Sequence, residues 1–431
     1  MGRIILVSNR LPVGISTNSD GSFTASRTSG GLATALSSLY EEKDAAWIGW
    51  TGLRRHLRPK ELRSLGLPDN IIPINLSDLQ IERYYDRYSN GVLWPILHGV
   101  EPTIDLQPVD LRALQIVLQR FANAIVAIAR PDDTIWIHDY HLLLLPGLLR
   151  HYELHNRIGF FLHTPFPTRE FEHTLPLRKE TVRSLASVDI LGVQVARDVK
   201  AARAWNLDAT AYPIGVDYAK FTRLASNDEV LRASEAISKR YRDKKLIVSL
   251  SRLDYSKGIL TQLAAISQLA QARDDFIYRL NIAPSRESVL EYSELHREIE
   301  QQVTAINKRS NVIDYTYENL GETDVAALLL AADVQLNIPV KDGMNLVAKE
   351  HIAVRQKPAV IVLSHAAGAA AQLQDALLVA PNDPAATTRA LHRALDMDEA
   401  EKSRRWQALR HNVKTENIQR WYESFMRDLQ A

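Results

Sequence analysis

Short apolar runs alternate with helical patterns along the whole chain, and this alternation constrains the fold most strongly. Strands are predicted in the first half at Ile4–Ser8, Ala46–Gly49, Thr134–His138, Gly159–His163 and Ile190–Val193. In the second half they are predicted at Leu246–Ser251, Tyr278–Ile282, Val312–Tyr315, Val334–Ile338 and Ala359–Leu363. Helices are predicted at Leu111–Ala129, Ile259–Ala272, Val289–Asn307, Thr323–Ala332, Met344–Arg355 and Ala385–Leu395. Mostly apolar strands separated by helices indicate α/β domains with parallel sheets.

Two such halves of about 200 residues each predict two doubly wound domains. Proline and glycine mark a hinge near Tyr212–Asp217. We predict a first domain over residues 1–215, a second over 216–405 and a C-terminal helix over 406–431. The segment Pro12–Gly31 is rich in Ser, Thr and Gly, and it is predicted to be a mobile loop that acts as a lid.

Charge balance and the absence of cysteine exclude several classes of function. The chain has 52 basic and 51 acidic residues, so a protein that binds nucleic acid or a membrane surface by charge is not expected. Without cysteine there are no disulfides, thiolate metal sites or cysteine nucleophiles, which fits a reducing compartment. We see no targeting signal and no apolar run near the roughly 18 residues of a membrane span, and expect a cytoplasmic protein.

The segment after the strand Val334–Ile338 has the pattern of an anion site. A charged, glycine-containing turn leads into a helix that carries Glu350. The start of a helix presents free N–H groups and a positive dipole end, which suit a phosphate, and Glu350 can accept hydrogen bonds from sugar hydroxyls. The same pattern also fits an ordinary strand-turn-helix unit, so this segment alone does not decide between them.

Other polar residues fall at or just beyond predicted strand ends, where ligands of doubly wound sheets bind. Arg252 and Lys257 could clamp a diphosphate, and Arg286 could bind a phosphate. The others are Arg10, Gly30, Asp139, His163 and Asp342, with the aromatic residues Tyr85 and Trp94 suited to sugar faces. Each of these residues, taken alone, could have an ordinary structural role. Two domains that face a central cleft would bring them together in one site.

Four segments resemble the trehalose-6-phosphate synthase family, retaining glycosyltransferases with two Rossmann-like domains that face a cleft, a fold called GT-B. They are Trp-Ile-His-Asp-Tyr-His at 136–141, His-Thr-Pro-Phe-Pro at 163–167, Arg-Leu-Asp-Tyr-Ser-Lys-Gly at 252–258 and Asp-Gly-Met-Asn-Leu-Val-Ala-Lys-Glu at 342–350. The resemblance runs from Ile4 to about Leu429. It implies transfer of glucose from UDP-glucose to glucose 6-phosphate, which gives α,α-trehalose 6-phosphate and UDP.

The resemblance also implies a role for each matching residue. The donor would be bound by Gly30, Gly31, Arg252, Lys257, Asp342, Leu346, Val347 and Glu350, with His163 on the transferred glucose. The acceptor would be bound by Arg10, Tyr85, Trp94, Asp139 and Arg286. The catalytic set would be Asp139, His163, Arg252, Lys257 and Asp342, without an enzyme nucleophile, a metal or a cofactor. A C-terminal helix would return to the first domain.

Three departures from the family pattern leave the donor nucleotide and the acceptor open. Lys341 stands where the family often has Arg, and Gly99 follows His98 in place of an aromatic residue. The segment Ser364–Leu373 lacks the usual aromatic residue, and Gln372 stands where the family has Glu. The sequence also leaves open the regulation, the extent of domain closure and the oligomeric state, with a homo-oligomer among the options.

Two alternatives follow. One is a sibling transferase, either a glucosylglycerol-phosphate synthase that uses ADP-glucose and glycerol 3-phosphate or a pseudoglycosyltransferase. Tyr85, Trp94 and Arg286 favour a hexose phosphate as acceptor instead. The other is a sugar-phosphate sensor without turnover, against which Arg252 and Asp342 argue.

Overall fold

A computed structural model describes residues 2–18, 23–27, 45–286 and 289–431. The chain forms two compact units. The first comprises Met1–Tyr212 together with Tyr422–Ala431, and the second comprises Pro213–Trp421. The C-terminal segment predicted as one element, 406–431, is therefore divided between the two units.

The first unit is built on a parallel sheet of seven strands. They span β1 Ile4–Arg10, β4 Ala45–Trp50, β5 Ile71–Ile74, β6 Thr134–His138, β7 Arg157–Phe161, β8 Ile190–Val193 and β9 Thr210–Ala211. Their spatial order is β5-β4-β1-β6-β7-β8-β9. The strands β4 and β6 are buried along their whole length, as continuous apolar runs predict. The five predicted strands are confirmed, and β5 and β9, which are short, were not predicted.

The helices of the first unit cover this sheet. The α-helices are Pro59–Arg63, Asp78–Gln80, Trp94–Leu97, Pro108–Ile128, Leu145–His151, Arg178–Ala186 and Ala196–Ala204, with 3-10 turns at Tyr140–Leu142 and Arg169–Glu172. Residues Ile81–Leu93 form a π-helix, a rare conformation that is frequent at functional sites. Among the described helices, Pro108–Ile128 alone has the length and mean hydropathy of a membrane span. Its Asp110 is fully buried against Arg87, which is typical of a core helix.

The predicted lid segment is a hairpin where the structure describes it. Strands β2 Val13–Thr17 and β3 Phe23–Arg27 pair antiparallel, with Val13 opposite Arg27. The segment predicted to be a mobile loop therefore contains a two-stranded hairpin where it is described.

The second unit repeats the architecture with a parallel sheet of six strands. The strands are β10 Lys245–Arg252, β11 Phe276–Ala283, β12 Ile313–Tyr317, β13 Val334–Asn337, β14 Val360–Ser364 and β15 Leu377–Val379. Their order is β12-β11-β10-β13-β14-β15. The helices are Tyr218–Leu224, Asp228–Arg240, Ile259–Leu269, Leu290–Ser310, Glu322–Ala331, Leu346–Val354, Pro384–Asp396 and Glu399–Thr415, with 3-10 turns at Tyr255–Lys257 and Gly368–Ala371. The five predicted strands and all predicted helices are confirmed, with shifted ends.

The last helix, Ile418–Gln430, begins in the second unit and ends in the first. Phe425 is fully buried in the first unit and stacks on Trp136 with ring centroids 4.7 Å apart. Gly159 and Gly192 leave the space for its ring, since a Cβ at either would lie 2.7 Å from Phe425 atoms. Residues Tyr422–Ala431, which include the end of this helix, belong to the first unit, whereas Glu399–Thr415 belongs to the second.

Candidate functional site

Polar side chains collect at the carboxyl edge of the first sheet. Arg10 ends β1, Asp139 follows β6 directly, and His163 lies two residues beyond β7. These strands are neighbours, since β1 pairs with β6 and β6 pairs with β7. Three of the predicted site residues therefore share one edge, because parallel strands end on the same side of a sheet.

The guanidinium of Arg10 is held over two aromatic rings. Its Cζ lies 4.6 Å from the ring centroid of Trp50 and 5.5 Å from that of Tyr85. Gly52 has φ +82°, and a Cβ there would collide with Nη1 of Arg10. The exposed guanidinium can bind a phosphate in two-point fashion, and cation–π contacts position it without neutralising its charge.

Tyr85 and Trp94 come from the helical segment that contains the π-helix. Tyr85 is half-buried, and its ring packs edge-on against Trp50 at 5.2 Å and parallel to His141 at 5.8 Å. Trp94 is buried, and its ring contacts His98 at 4.0 Å and Tyr140 at 5.5 Å. Tyr85 thus lies beside Arg10, whereas the contacts of Trp94 are those of a packing residue.

Asp139 and His163 are tied together at the strand ends. The backbone of Asp139 is in the left-handed region, with φ 75°, where a non-glycine residue needs support from its surroundings. Its Oδ1 accepts a hydrogen bond from the backbone N–H of His163 at 3.2 Å. This carboxylate is therefore oriented by β7 as well as by its own strand.

His163 forms a pair with His138, whose Nδ1 lies 3.2 Å from Nε2 of His163. Burial lowers the pKa of His163 to about 3. Burial, with a smaller contribution from His163, lowers the pKa of His138 well below its usual range. Both rings are therefore neutral at pH 7, and one proton is shared between the facing nitrogens. A neutral His163 can use its other nitrogen, Nδ1, toward a sugar hydroxyl.

A second set of polar residues lies at the carboxyl edge of the second sheet. Arg252 ends β10 and is exposed, and Lys257 lies in the 3-10 turn that follows. The Nζ of Lys257 donates to Oδ2 of Asp342 at 2.8 Å, and both side chains are mostly buried. Gly258 follows with φ 65°, where a Cβ would collide with the carbonyl of Ile338. The contact between Lys257 and Asp342 therefore joins the turn after β10 to the loop that carries Asp342.

The loop that carries Asp342 is fixed by main-chain hydrogen bonds. The Asp342 N–H donates to the carbonyl of Ala366 at 3.3 Å, and its own carbonyl accepts from Gly368 at 3.1 Å. Asn345 then caps the helix Leu346–Val354, with φ 76° and its side chain accepting from the N–H of Ala348. Leu346 and Val347 therefore open this helix, and backbone N–H groups in such a position can bind an anion.

Glu350 lies one turn further along the same helix and is half-buried. Burial raises its pKa to about 7, while the nearby Lys220 lowers it and Glu322 raises it. The side chain is therefore partly ionised at neutral pH. A carboxylate in this position accepts hydrogen bonds from hydroxyl groups, which is the chemistry predicted for it.

Arg286, like Lys257, is paired with a carboxylate inside its own unit. Its Nη1 donates to Oδ2 of Asp254 at 2.6 Å and to the Tyr292 hydroxyl at 2.6 Å. The side chains of Arg286 and Asp254 are 7% and 1% exposed. A phosphate would have to share this guanidinium with Asp254.

Sequence reasoning missed the buried polar groups behind these edges. The hydroxyl of Tyr84 donates to Oδ1 of Asn9 at 2.9 Å, and that of Tyr140 donates to Oδ1 of Asn90 at 2.9 Å. Lys349 is fully buried although lysine is almost never found so. Gly30 and Gly31 lie outside the described residues. In the part of the chain that is described, no three His, Asp or Glu side chains are grouped as metal ligands.

The chain and its fold have counterparts among known proteins. The model of glycosyltransferase family 20 matches residues 2–204 and 197–431. A trehalose-6-phosphate synthase of Sinorhizobium fredii is 34% identical over 100% of this chain and 99% of its own length. A bifunctional trehalose-6-phosphate synthase/phosphatase of Thermoproteus tenax is 32% identical over 99% of this chain, which spans 63% of that relative's length.

A solved structure agrees over the same extent. The UDP-forming α,α-trehalose-phosphate synthase of Burkholderia xenovorans, in complex with glucose 6-phosphate, superposes with a TM-score of 0.90 and 32% identity, and 100% of each chain is covered. Two α/β units, each built on a parallel sheet, are the mark of the GT-B class of fold. Within that class, the chain belongs to glycosyltransferase family 20.

Proposed function

We propose that this protein transfers glucose, with retention of configuration, from UDP-glucose to glucose 6-phosphate, and releases α,α-trehalose 6-phosphate and UDP. The observation that carries the proposal is the loop after β13, where Asp342 is 2.8 Å from Lys257 and leads into the helix that holds Glu350. This loop and Lys257, from the turn after β10, bring a cation, a carboxylate and a helix start close together. The relatives that this chain matches over almost their whole length include trehalose-6-phosphate synthases.

The second unit holds the nucleotide sugar in this proposal. Arg252 and Lys257 bind the diphosphate and stabilise the negative charge that develops on it as the sugar leaves. The backbone of Leu346 and Val347 binds the nucleotide, and Glu350 accepts from the ribose hydroxyls. Asp342 and His163 are the residues proposed to contact the transferred glucose. Gly30 and Gly31 are proposed to contact the donor as well.

Most of the proposed acceptor ligands belong to the first unit. Arg10 and Tyr85 bind the phosphate of glucose 6-phosphate, and Asp139 accepts from its sugar hydroxyls. Trp94 is also proposed to bind the acceptor, and it is buried against His98 and Tyr140. Arg286 is the further phosphate ligand in the proposal, and its ion pair with Asp254 fixes its guanidinium in place.

The reaction needs no nucleophile from the protein. The hydroxyl on C1 of the acceptor attacks the anomeric carbon on the face from which UDP leaves, so a C–O bond forms as the bond to the phosphate oxygen breaks. The acceptor proton passes to an oxygen of the departing diphosphate. The protein contributes orientation, through Asp139 and His163, and charge stabilisation, through Arg252 and Lys257. We propose that this takes place in the cytoplasm.

A donor and acceptor matrix tests the proposal. Purified protein is incubated with UDP-glucose, ADP-glucose or GDP-glucose, each with glucose 6-phosphate or glycerol 3-phosphate. We expect trehalose 6-phosphate and UDP from the first donor with glucose 6-phosphate. Product with glycerol 3-phosphate alone would replace this function by that of the sibling transferase. Substrate binding without product would favour a sensor.

A further inference from the structure

The helix Leu346–Val354 is held by buried polar side chains rather than by apolar packing alone. Lys349 is fully buried on it, one residue before Glu350. Its Nζ donates to the backbone carbonyl of Ile214 at 2.7 Å and to Oε1 of Gln372 at 2.6 Å. The side chain therefore joins three separate segments of the second unit: this helix, the start of the unit at Ile214 and the segment after the 3-10 turn Gly368–Ala371.

A second buried amide holds the same helix from the sheet. Gln335 is fully buried on β13, and its Nε2 donates to the carbonyl of Val347 at 2.9 Å. Its Oε1 lies 3.3 Å from Nδ1 of His351, which is itself fully buried. Lys349 and Gln335 thus fix the first turns of the helix in two directions.

Burying these hydrogen-bonded polar groups costs free energy, so their position on this helix suggests a role beyond stability. Burying an amine costs free energy unless its N–H groups find acceptors, and satisfied buried networks fix one arrangement of the elements they join. Burial lowers the pKa of Lys349 to about 7, against an opposing effect of Glu416. Both acceptors of Lys349, a carbonyl and an amide oxygen, are neutral. An apolar side chain would cover the helix equally well, so stability alone does not explain the lysine.

We propose that Lys349 is a positioning residue for nucleotide binding, which holds Leu346, Val347 and Glu350 at the angle that the nucleotide and ribose require. This inference rests on the proposed function of that helix. Lys349 itself is too deeply buried to contact a ligand, so it acts through the helix rather than on the substrate. Gln372, which stands where the family has Glu, is the proposed partner in that tie.

The test is the dissociation constant of UDP, measured by calorimetry on the full chain. Lys349→Met removes the tie but leaves Oε1 of Gln372 without its donor, and this variant can fail to fold for that reason alone. The paired variant Lys349→Met with Gln372→Leu removes both polar groups, and such apolar replacement of a buried polar pair is often tolerated. Lys239→Met, at an exposed lysine of another helix, is the control.

We expect the folded paired variant to bind UDP about tenfold more weakly, since small misplacements of binding groups cost at least this much. Its affinity for glucose 6-phosphate and the cooperativity of its unfolding should match those of the control. Unchanged UDP affinity would overturn the inference. Parallel loss of both affinities would also overturn it, since that indicates a general structural role. Failure of the unaltered protein to bind UDP would instead refute the proposed function, and the inference with it.

Discussion

The two polar edges differ in how their charged groups are held. At the edge of the first sheet, Arg10 lies over the rings of Trp50 and Tyr85, and the histidines there are neutral. At the edge of the second sheet, the cations Lys257 and Arg286 are each bound to a carboxylate. The first arrangement positions a charge without cancelling it, and the second builds the charge into the framework of the unit.

This difference separates the consequences of mutation. Removing a residue that rests on aromatic rings should affect ligand binding more than stability. Removing one member of a buried ion pair leaves its partner charged and uncompensated, so stability should fall as well. The substitutions below, taken from the largest expected effect to the smallest, test that contrast.

Arg286→Ala should have the largest effect, on stability. It removes a charged donor that lies 2.6 Å from Oδ2 of Asp254, a carboxylate that is 1% exposed. We expect a loss of about 3 kcal/mol in the free energy of unfolding, measured by chemical denaturation. The exposed pair of Arg242 with Asp243 provides the control, since Arg242→Ala should cost under about 1 kcal/mol. Equal stabilities of the two variants would contradict the framework role of Arg286.

Arg252→Ala should lower activity rather than stability. Arg252 is exposed at the end of β10, where it is proposed to stabilise charge on the leaving diphosphate. We expect kcat to fall by about 10²- to 10³-fold, the cost of losing one such group. The midpoint of thermal unfolding should stay near that of the Arg242→Ala control. A near-normal kcat would remove Arg252 from the clamp.

Gly52→Ala should act on the first edge through Arg10. A methyl group there would displace the guanidinium of Arg10, and it would also occupy a left-handed backbone conformation at φ +82°. Gly66→Ala is a matched control, because Gly66 has φ +61° and no atom lies within 4 Å of the point that its methyl group would occupy. We expect both variants to lose about 1 kcal/mol of stability. Only Gly52→Ala should raise KM for glucose 6-phosphate. Similar KM values in the two variants would show that the space at Gly52 does not position Arg10 for the acceptor.

The pH dependence of the free energy of unfolding should show whether His163 stays neutral in the folded protein. Burial lowers the pKa of His163 to about 3, while an unfolded histidine titrates near 6.5. As the pH falls below about 6.5, the unfolded chain binds a proton that the folded protein does not, so stability is lost progressively toward pH 3. His163→Asn should therefore show a shallower loss of unfolding free energy between pH 6.5 and 4 than the unaltered protein. Parallel curves would show that His163 accepts its proton while folded.

The alternation of apolar runs predicted both sheets correctly because a buried parallel strand needs a continuous apolar run. It missed the β2–β3 hairpin, whose strands are polar, and the π-helix Ile81–Leu93, which does not follow the ordinary helical period. Arg252 was placed at the end of a strand, where the structure has it, and Asp342 lies in the loop after β13.

Partners that lie far apart in sequence could not be predicted. Nothing local to Arg286 indicates that Asp254, 32 residues earlier, will take its charge. Lysine is rarely buried, so no pattern points to the tie between Lys349 and Ile214, which spans 135 residues. These contacts depend on how the elements of the second unit pack, which motif spacing does not encode.

The central claim is that the donor diphosphate binds at the edge of the second sheet and the acceptor phosphate at the edge of the first. Calorimetric titration of two variants, Arg252→Ala and Arg10→Ala, with UDP and with glucose 6-phosphate tests it most directly. Arg252→Ala should lose affinity for UDP and keep that for glucose 6-phosphate, because its guanidinium belongs to the donor site. Arg10→Ala should show the reverse. If each variant weakened both ligands equally, or if the two losses were exchanged, the assignment of the diphosphate to the second unit and the acceptor phosphate to the first would be wrong.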